Sequence, residues 1–347
     1  MARSMDRRGL IPCRRIRLLL GLAAAALLAA APAGASAAER TLNMEKSKTV
    51  RIAGDDSSAA AAAKKKKGKP AFKSASSQVG FLSGTSATTN ATCPGKTHAT
   101  GGGYAVSPIF ANPAGLRSIN VTSNLVDDKT WGAAGSAFTT PGAAGTFTTH
   151  VRCESNALGR IAIRASSSLV LNPGSVQNMT ISCPRNTHVI SGGFTGTGPV
   201  DLTSPATGTR ILIFQSRRTG VGQWTVTGAN NPNANAAALL TGYATCERDA
   251  KGTSISEVSA STPLFNDLRA GVTARCTGKK HAVSGGFVIT PNGVGPAVFS
   301  AIDENLPIGK KGWRVGLYEF PEFSLPAGSS LAGYAYCKKD AVKTGSP

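Results

Sequence analysis

Three segments of one pattern set the limits on what this chain can fold into: "CPGKTHATGGGY" from Cys93, "CPRNTHVISGGF" from Cys183 and "CTGKKHAVSGGF" from Cys276. Their first cysteines recur about every 90 residues, too long a period for a solenoid repeat or a propeller blade and suited to a small domain. Each unit runs on through a Trp-bearing segment, "TWGAAGSAF", "QWTVTGAN" or "GWRVGLYEF", to a closing segment, "FTTHVRC", "LTGYATC" or "LAGYAYC". The closing cysteines are Cys153, Cys246 and Cys337, each about sixty residues after its first. Three modules are therefore expected over 79–157, 158–250 and 251–347.

Alternation of period two argues for strands in each unit. Ahead of the first Cys, its face carries Ala91 and Thr89, then Ile181 and Met179, then Ala274 and Val272, so the cysteines point inward. After it, the same period puts His188 on a face with Ile190, Gly192 and Phe194, and gives matching sets from His98 and His281. A Gly-Gly pair inside an extended run marks a bulge or the close passage of another strand. Turn residues fall about every ten positions, and no helical period survives beyond the N-terminal region. The fold class expected is all-β: three tandem, small, disulfide-closed β-sandwich-like modules after a disordered basic linker. Immunoglobulin topology is not indicated, because each Trp lies about forty residues after its first Cys and Tyr243 and Tyr334 stand three before their second.

With its "C-P-x-G-K…G-G-G-[YF]…G-W-x-V…Y-A-x-C" pattern, the span from Cys93 to Cys337 resembles a set of secreted bacterial, chiefly actinobacterial, module proteins. The resemblance implies export and a disulfide-closed β module and brings no activity with it. Thr277 replaces the Pro in the third unit, and His150 replaces the closing Tyr in the first. Both departures point to a tolerant structural pattern.

Arg3, Arg7, Arg8, Arg14, Arg15 and Arg17 precede an apolar run from Leu18 to Ala31 and an A-x-A-like site at Ala35–Ala37. Residues 1–37 are expected to be a secretory signal peptide, and no later segment reaches membrane-spanning length. Six of the seven cysteines then remain, Cys13 being lost. An even count in an exported chain points to the pairs Cys93–Cys153, Cys183–Cys246 and Cys276–Cys337. Localisation is expected to be secreted, extracellular or cell-wall associated.

The net charge of +20 overstates the basicity of the modules. About +5 belongs to residues 1–37, about +6 to 38–78 and about +9 to the rest. Residues 38–78, with Lys64, Lys65, Lys66, Lys67 and Lys69, lack any periodic apolar pattern and read as a disordered basic linker. That run is either a solvated spacer or an electrostatic attachment to an anionic envelope polymer. Clustered Arg/Lys with stacking aromatics is missing from the modules, so nucleic acid is not an expected partner.

Candidate chemistry is sparse. Two Cys and one motif His per module could formally make a Cys2His metal site, but the compartment and the even count favour disulfides; no metal and no cofactor is expected. His98, His188 and His281 occur in all three modules, and catalysis would need an acidic or nucleophilic partner that repeats with them. None does. Asp303 and Glu304, as neighbours on a strand, are read as pointing to opposite faces and so as a poor acid/base pair. No nucleophile elbow, metalloprotease helix or phosphate loop occurs, so no catalytic residue is assigned. The candidate binding residues are His150, Tyr243 and Tyr334, facing away from their cysteines, together with the three motif histidines; one Trp per module is read as core. The expected role is non-enzymatic binding or adhesion to an envelope polymer or glycan. A purely structural surface or matrix protein is the alternative, and a wall hydrolase a third.

Overall fold

The computed structural model describes residues 72–82, 85–107, 117–138, 144–155, 162–198, 211–248, 255–264, 269–291, 300–319 and 328–339, and every regular element in them is a β-strand. Module 1 holds β1 (Phe72–Leu82), β2 (Ser86–Thr92), β3 (Thr97–Ser107), β4 (Arg117–Leu125), β5 (Thr130–Phe138) and β6 (Ala144–Ser155). Module 2 follows the same course with β7 (Ala162–Leu171), β8 (Val176–Ser182), β9 (Thr187–Thr197), β10 (Ile211–Gly220), β11 (Gln223–Asn230) and β12 (Ala238–Arg248). Module 3 has β13 (Ser256–Pro263), β14 (Arg269–Arg275), β15 (Lys280–Thr290), β16 (Ser300–Ile308), β17 (Gly312–Glu319) and β18 (Ser330–Lys339). The fold is all-β, as the alternation predicts. One boundary moves: residues 72–78, expected to belong to the linker, are strand. Their serines carry no apolar alternation, and it is the eleven-residue β1 pairing with β6, from Phe72↔Glu154 to Leu82↔Ala144, that orders them. The lysine run from Lys64 to Lys69 lies outside the described residues.

The modules do not stand side by side. Each six-stranded antiparallel sheet is assembled from two of them, in the orders β1-β6-β3-β16-β17-β14, β7-β12-β9-β4-β5-β2 and β13-β18-β15-β10-β11-β8. The first sheet joins a half of module 1 to a half of module 3, the second joins modules 2 and 1, and the third joins modules 3 and 2. Half-sheets are thus exchanged around a closed ring. Within a module the two halves pack face to face, as β1 and β6 do against β2, which makes the sandwich.

Disulfides fasten those faces. The bonds are Cys93–Cys153, Cys183–Cys246 and Cys276–Cys337, the pairs that the spacing predicts. Each first Cys directly follows the edge strand of one sheet (β2, β8 or β14), and each second Cys lies in a strand of the next (β6, β12 or β18). Three bonds therefore tie three sheets pairwise, and they place the folded chain in an oxidising compartment.

Trp131, Trp224 and Trp313 are at most 1% exposed and fill the space between the halves. A buried indole N–H needs an acceptor. Each finds one eight residues earlier on the adjoining strand: Ser123 Oγ at 2.9 Å, Ser216 Oγ at 3.1 Å and Asn305 Oδ1 at 2.7 Å.

The Gly-Gly pair serves two neighbours at once. A Cβ on Gly102, Gly192 or Gly285 would overlap the Trp ring of its own module. A Cβ on the next residue, Gly103, Gly193 or Gly286, would overlap the backbone of Asn305, Ser123 or Ser216 in the adjoining module. Those are the residues that hold the indoles. The aromatic that comes next, Tyr104, Phe194 or Phe287, sits in register with the same residue: Asn305↔Tyr104, Ser123↔Phe194 and Ser216↔Phe287. One tripeptide therefore clears the Trp, admits the neighbouring strand and supplies the seam.

A bulge just before these glycines corrects the expected facing. Thr100, Ile190 and Val283 are the extra residues, falling between Ala99/Gly101, Val189/Ser191 and Ala282/Ser284. The extra residue reverses the alternation. Val189, opposite Cys246, faces the core together with Gly192 and Phe194, whereas His188, opposite Glu247, lies on the other side. The grouping of His188 with Gly192 and Phe194 therefore fails, for the reason that period two assumes an uninterrupted ladder. The bulges of neighbouring modules meet: Thr100 Oγ1 donates to Val283 O at 3.1 Å, and Ser284 Oγ to Ile190 O.

Replacing Cys183 with Ser should lower unfolding free energy by roughly 4 kcal/mol on the chain-entropy estimate and expose one titratable thiol, at Cys246. Denaturant unfolding with thiol titration measures both, and six free thiols in the folded parent would refute the pairing.

Candidate functional site

The residues immediately after the second cysteines, Glu154, Glu247 and Lys338, converge where the three modules meet. Lys338 Nζ lies 3.2 Å from both carboxylate oxygens of Glu247 and 3.4 Å from Glu154 Oε2. Two motif histidines join them: His281 Nε2 is 2.5 Å from Glu154 Oε1, and His188 Nε2 is 3.7 Å from Glu247 Oε2. His188, His281, Glu247 and Lys338 are all buried, and the Phe72 ring lies 4.6 Å from that of His281. His98 does not join this cluster. It pairs through Nδ1 with Asp128 of its own module, partly in solvent. The histidines that look equivalent in sequence thus have two different settings: His188 and His281 are buried, paired with Glu247 of the same module and Glu154 of module 1, and His98 is partly in solvent.

Sequence reasoning missed the charged triad, although aligning the modules would have shown three ionisable residues at one offset, two acids and one base. The position before each second Cys is equally telling. Arg152 is buried with Nη2 on Gly309 O of module 3, and burial lowers its pKa to about 10. Tyr336 is fully buried, accepts the Arg218 N–H at 2.7 Å and meets the Trp224 ring edge-on at 5.6 Å. Burial pushes its hydroxyl far above the usual phenol range.

On the closing strands, His150 pairs with Ser76 and Gly103, Tyr243 with Ser166 and Gly193, and Tyr334 with Ser259 and Gly286. All three face away from their cysteines. They differ in what they offer. Burial, reinforced by the Arg152 charge, lowers the His150 pKa to about 4, so it is neutral at physiological pH. Arg217 stands 5.1 Å from the Tyr334 ring centre and Arg164 only 3.8 Å from that of Tyr243. Around Tyr243 the outer face of the second sheet carries a row of polar side chains across four strands. Ser168 bonds Thr241 at 2.8 Å, and Asn124 Nδ2 donates to Thr195 Oγ1 at 2.8 Å. Thr241 stands opposite both Ser168 and Thr195. One step along lie Leu239 and Val170, 41% and 55% exposed. The matching rows elsewhere are broken by Ala332 and Val288 in the third sheet and by Ala105 in the first.

The acid pair needs correction. Asp303 is the extra residue of a bulge between Ile302 and Glu304, so the two carboxylates fall on one side of β16, not on opposite faces. A side chain at Gly316 would run into both, and both meet Arg269, whose Nε is 3.6 Å from Asp303 Oδ2 and whose Nη2 is 2.9 Å from Glu304 Oε1. Arg314 Nε adds a 2.6 Å bond to Glu304 Oε2. Asp303 is 4% exposed and neither of its oxygens is hydrogen-bonded to another side chain or to a neighbouring strand. Burial raises its pKa to about 7 against the downward pull of Arg269. With Glu304 held by two guanidiniums and Asp303 enclosed, the pair is an ion-pair network.

No protein-family model matches this chain, and no curated protein matches it.

Replacing Lys338 with Met removes the ammonium that Glu154 and Glu247 share and should cost roughly 3–5 kcal/mol, part of which returns on adding Glu247→Gln; chemical denaturation of the two variants checks this. Asp303 ionises near 3.8 when unfolded and near 7 in the fold, so folding takes up a proton between those values. Its contribution makes stability greatest below about pH 4, lower as pH rises to about 7, and constant beyond. Asp303→Asn should remove that descending limb from a melting-temperature series.

Proposed function

We propose that this chain is exported and acts outside the cell, at or near the cell surface, as a non-enzymatic protein binding an envelope polymer or glycan. The observation that carries this reading is the outer face of the second sheet. It offers a row of hydroxyl and amide side chains, Ser168, Thr241, Thr195 and Asn124, between an aromatic–guanidinium pair, Tyr243 and Arg164, and an apolar margin of Val170 and Leu239. A sugar chain has both kinds of surface, hydroxyl edges and C–H faces, and a face of this composition complements it. Arg164 favours a ligand that bears carboxylate or phosphate groups. Disulfide closure and the arginine-led apolar N-terminal segment support export, and the resemblance to secreted actinobacterial-type module proteins agrees with it.

A structural matrix protein is the second reading, favoured by the exchange of half-sheets that locks three modules into one ring. It predicts no saturable ligand.

Binding of the mature protein to isolated cell envelopes distinguishes the two, measured at low and high salt and with residues 38–71 removed, which leaves β1 intact. Saturable binding that survives both treatments and falls about tenfold with Tyr243→Ala is the expected result. Binding abolished by salt or by loss of the arm would transfer attachment to the lysine run, and no saturable binding would favour the matrix reading.

A further inference from the structure

In each module the first Cys is held by the turn between the fourth and fifth strands. The Cys93 N–H donates to Lys129 O at 2.9 Å, that of Cys183 to Gly222 O at 2.8 Å and that of Cys276 to Lys311 O at 2.9 Å. Module 3 fills this corner with cations. Arg275, Lys279, Lys310, Lys311 and Lys339 are exposed there, and Lys280 is half-buried. They come from four separate stretches: the end of β14, the turn into β15, the β16–β17 turn and the end of β18. Those stretches touch. Lys311 Nζ donates to Gly278 O at 2.7 Å, the Ala282 N–H to Lys310 O at 3.1 Å, and Arg275 pairs with Gly312.

The same corner closes in the other modules without these charges. Lys280, bonded through Nζ to Ser256 Oγ at 2.7 Å, stands directly opposite Lys339, and like charges so placed repel. The matching pairs are Thr97↔Ser155 in module 1 and Thr187↔Arg248 in module 2. Lys310 takes the place of Asp128 in module 1: the carbonyl of each accepts the N–H of the residue after the motif His. Acids among the described residues do not balance the corner. Glu154 and Glu247 are engaged by Lys338, and Glu257 of β13, opposite Tyr336, interacts with the Arg218 charge.

Cations gathered against their mutual repulsion create a field that suits an anionic partner. Lys280 and Lys339 belong to one sheet, and Arg275 and the β16–β17 turn to another; stacked sheets lie roughly 10 Å apart. A single phosphate or carboxylate does not span that gap, whereas a chain carrying such groups at short intervals does. Thr277, Gly278 and Gly309, exposed among the cations, offer no large apolar side chain to enter a lipid surface and no aromatic to stack on a base. We infer that this end of module 3 is a docking surface for a linear polyanion, a phosphate- or carboxylate-bearing polymer held by lysine point charges. This goes beyond the reading of the second sheet's outer face and does not depend on it.

The test is binding of the mature protein to inorganic polyphosphate and to polygalacturonate over a range of salt concentrations. Binding of the parent to either polymer, with log affinity falling linearly in log salt, is expected. The variant K279N/K280T/K339S, built from residues that modules 1 and 2 carry at these places, should lose about tenfold in affinity and about 2 in that slope. Its melting temperature should be no lower than the parent's. The variant K64S/K65S/K66S, which sheds the same three charges from the arm, should lose clearly less, and Tyr243→Ala should lose nothing, so that failure here and failure of the glycan reading are told apart. No binding of either polymer by the parent would overturn the inference. So would equal losses in the two lysine variants, which would make net charge the cause, or a lower melting temperature in the first, which would make its lysines structural. Binding to phosphatidylglycerol vesicles but to neither polymer would overturn it in favour of a lipid surface.

Discussion

The second glycine of each Gly-Gly pair is where neighbouring modules touch backbone to backbone, and the ring depends on that contact. A side chain at Gly103, Gly193 or Gly286 would displace the very strand whose Asn305, Ser123 or Ser216 side chain receives a buried indole N–H. Losing the approach would therefore loosen a seam and leave a Trp without its acceptor in the next module. The preceding glycine couples the same strand to its own Trp. Packing within a module and pairing between modules thus share one short stretch of chain. That is why the Cys, His and Gly-Gly spacing recurs while the strands around it drift in composition.

Much of the fold was legible in the sequence. Paired cysteines, inward Trp residues and the all-β class come from spacing and alternation, and the glycine pair announced either a bulge or a close approach; it proved to serve both. Two things were hidden. Bulges at Ile190 and Asp303 reverse the facing of the residues beyond them, and period two cannot see them: hence the misplaced facing of His188 and the mistaken separation of Asp303 from Glu304. The exchange of half-sheets was hidden too, since local pattern says that a strand has an edge to fill and not which module fills it. The three seams are made by only one or two register pairs each, too few to leave a sequence signature of their own.

Positions that agree among the modules build the ring, and positions that disagree give it individuality. Ser123, Ser216 and Asn305 all accept an indole N–H. Glu154, Glu247 and Lys338 occupy one offset with charges that nearly cancel, so each module meets different partners at the centre, which favours one order of assembly over its permutations. Among the described residues, the unbroken polar row beside Tyr243 belongs to one sheet only, and the enclosed carboxyl of Asp303 to one seam only. These departures from symmetry are what tell one module from the next.

Differential scanning calorimetry of the intact protein near pH 5.5 tests the interlocked ring most directly. If the modules share sheets, none can melt while its neighbours stay folded, and one transition is expected, with calorimetric and van't Hoff enthalpies that agree. Separate transitions, or a calorimetric enthalpy about three times the van't Hoff value, would show three modules unfolding independently and would contradict the exchange of half-sheets.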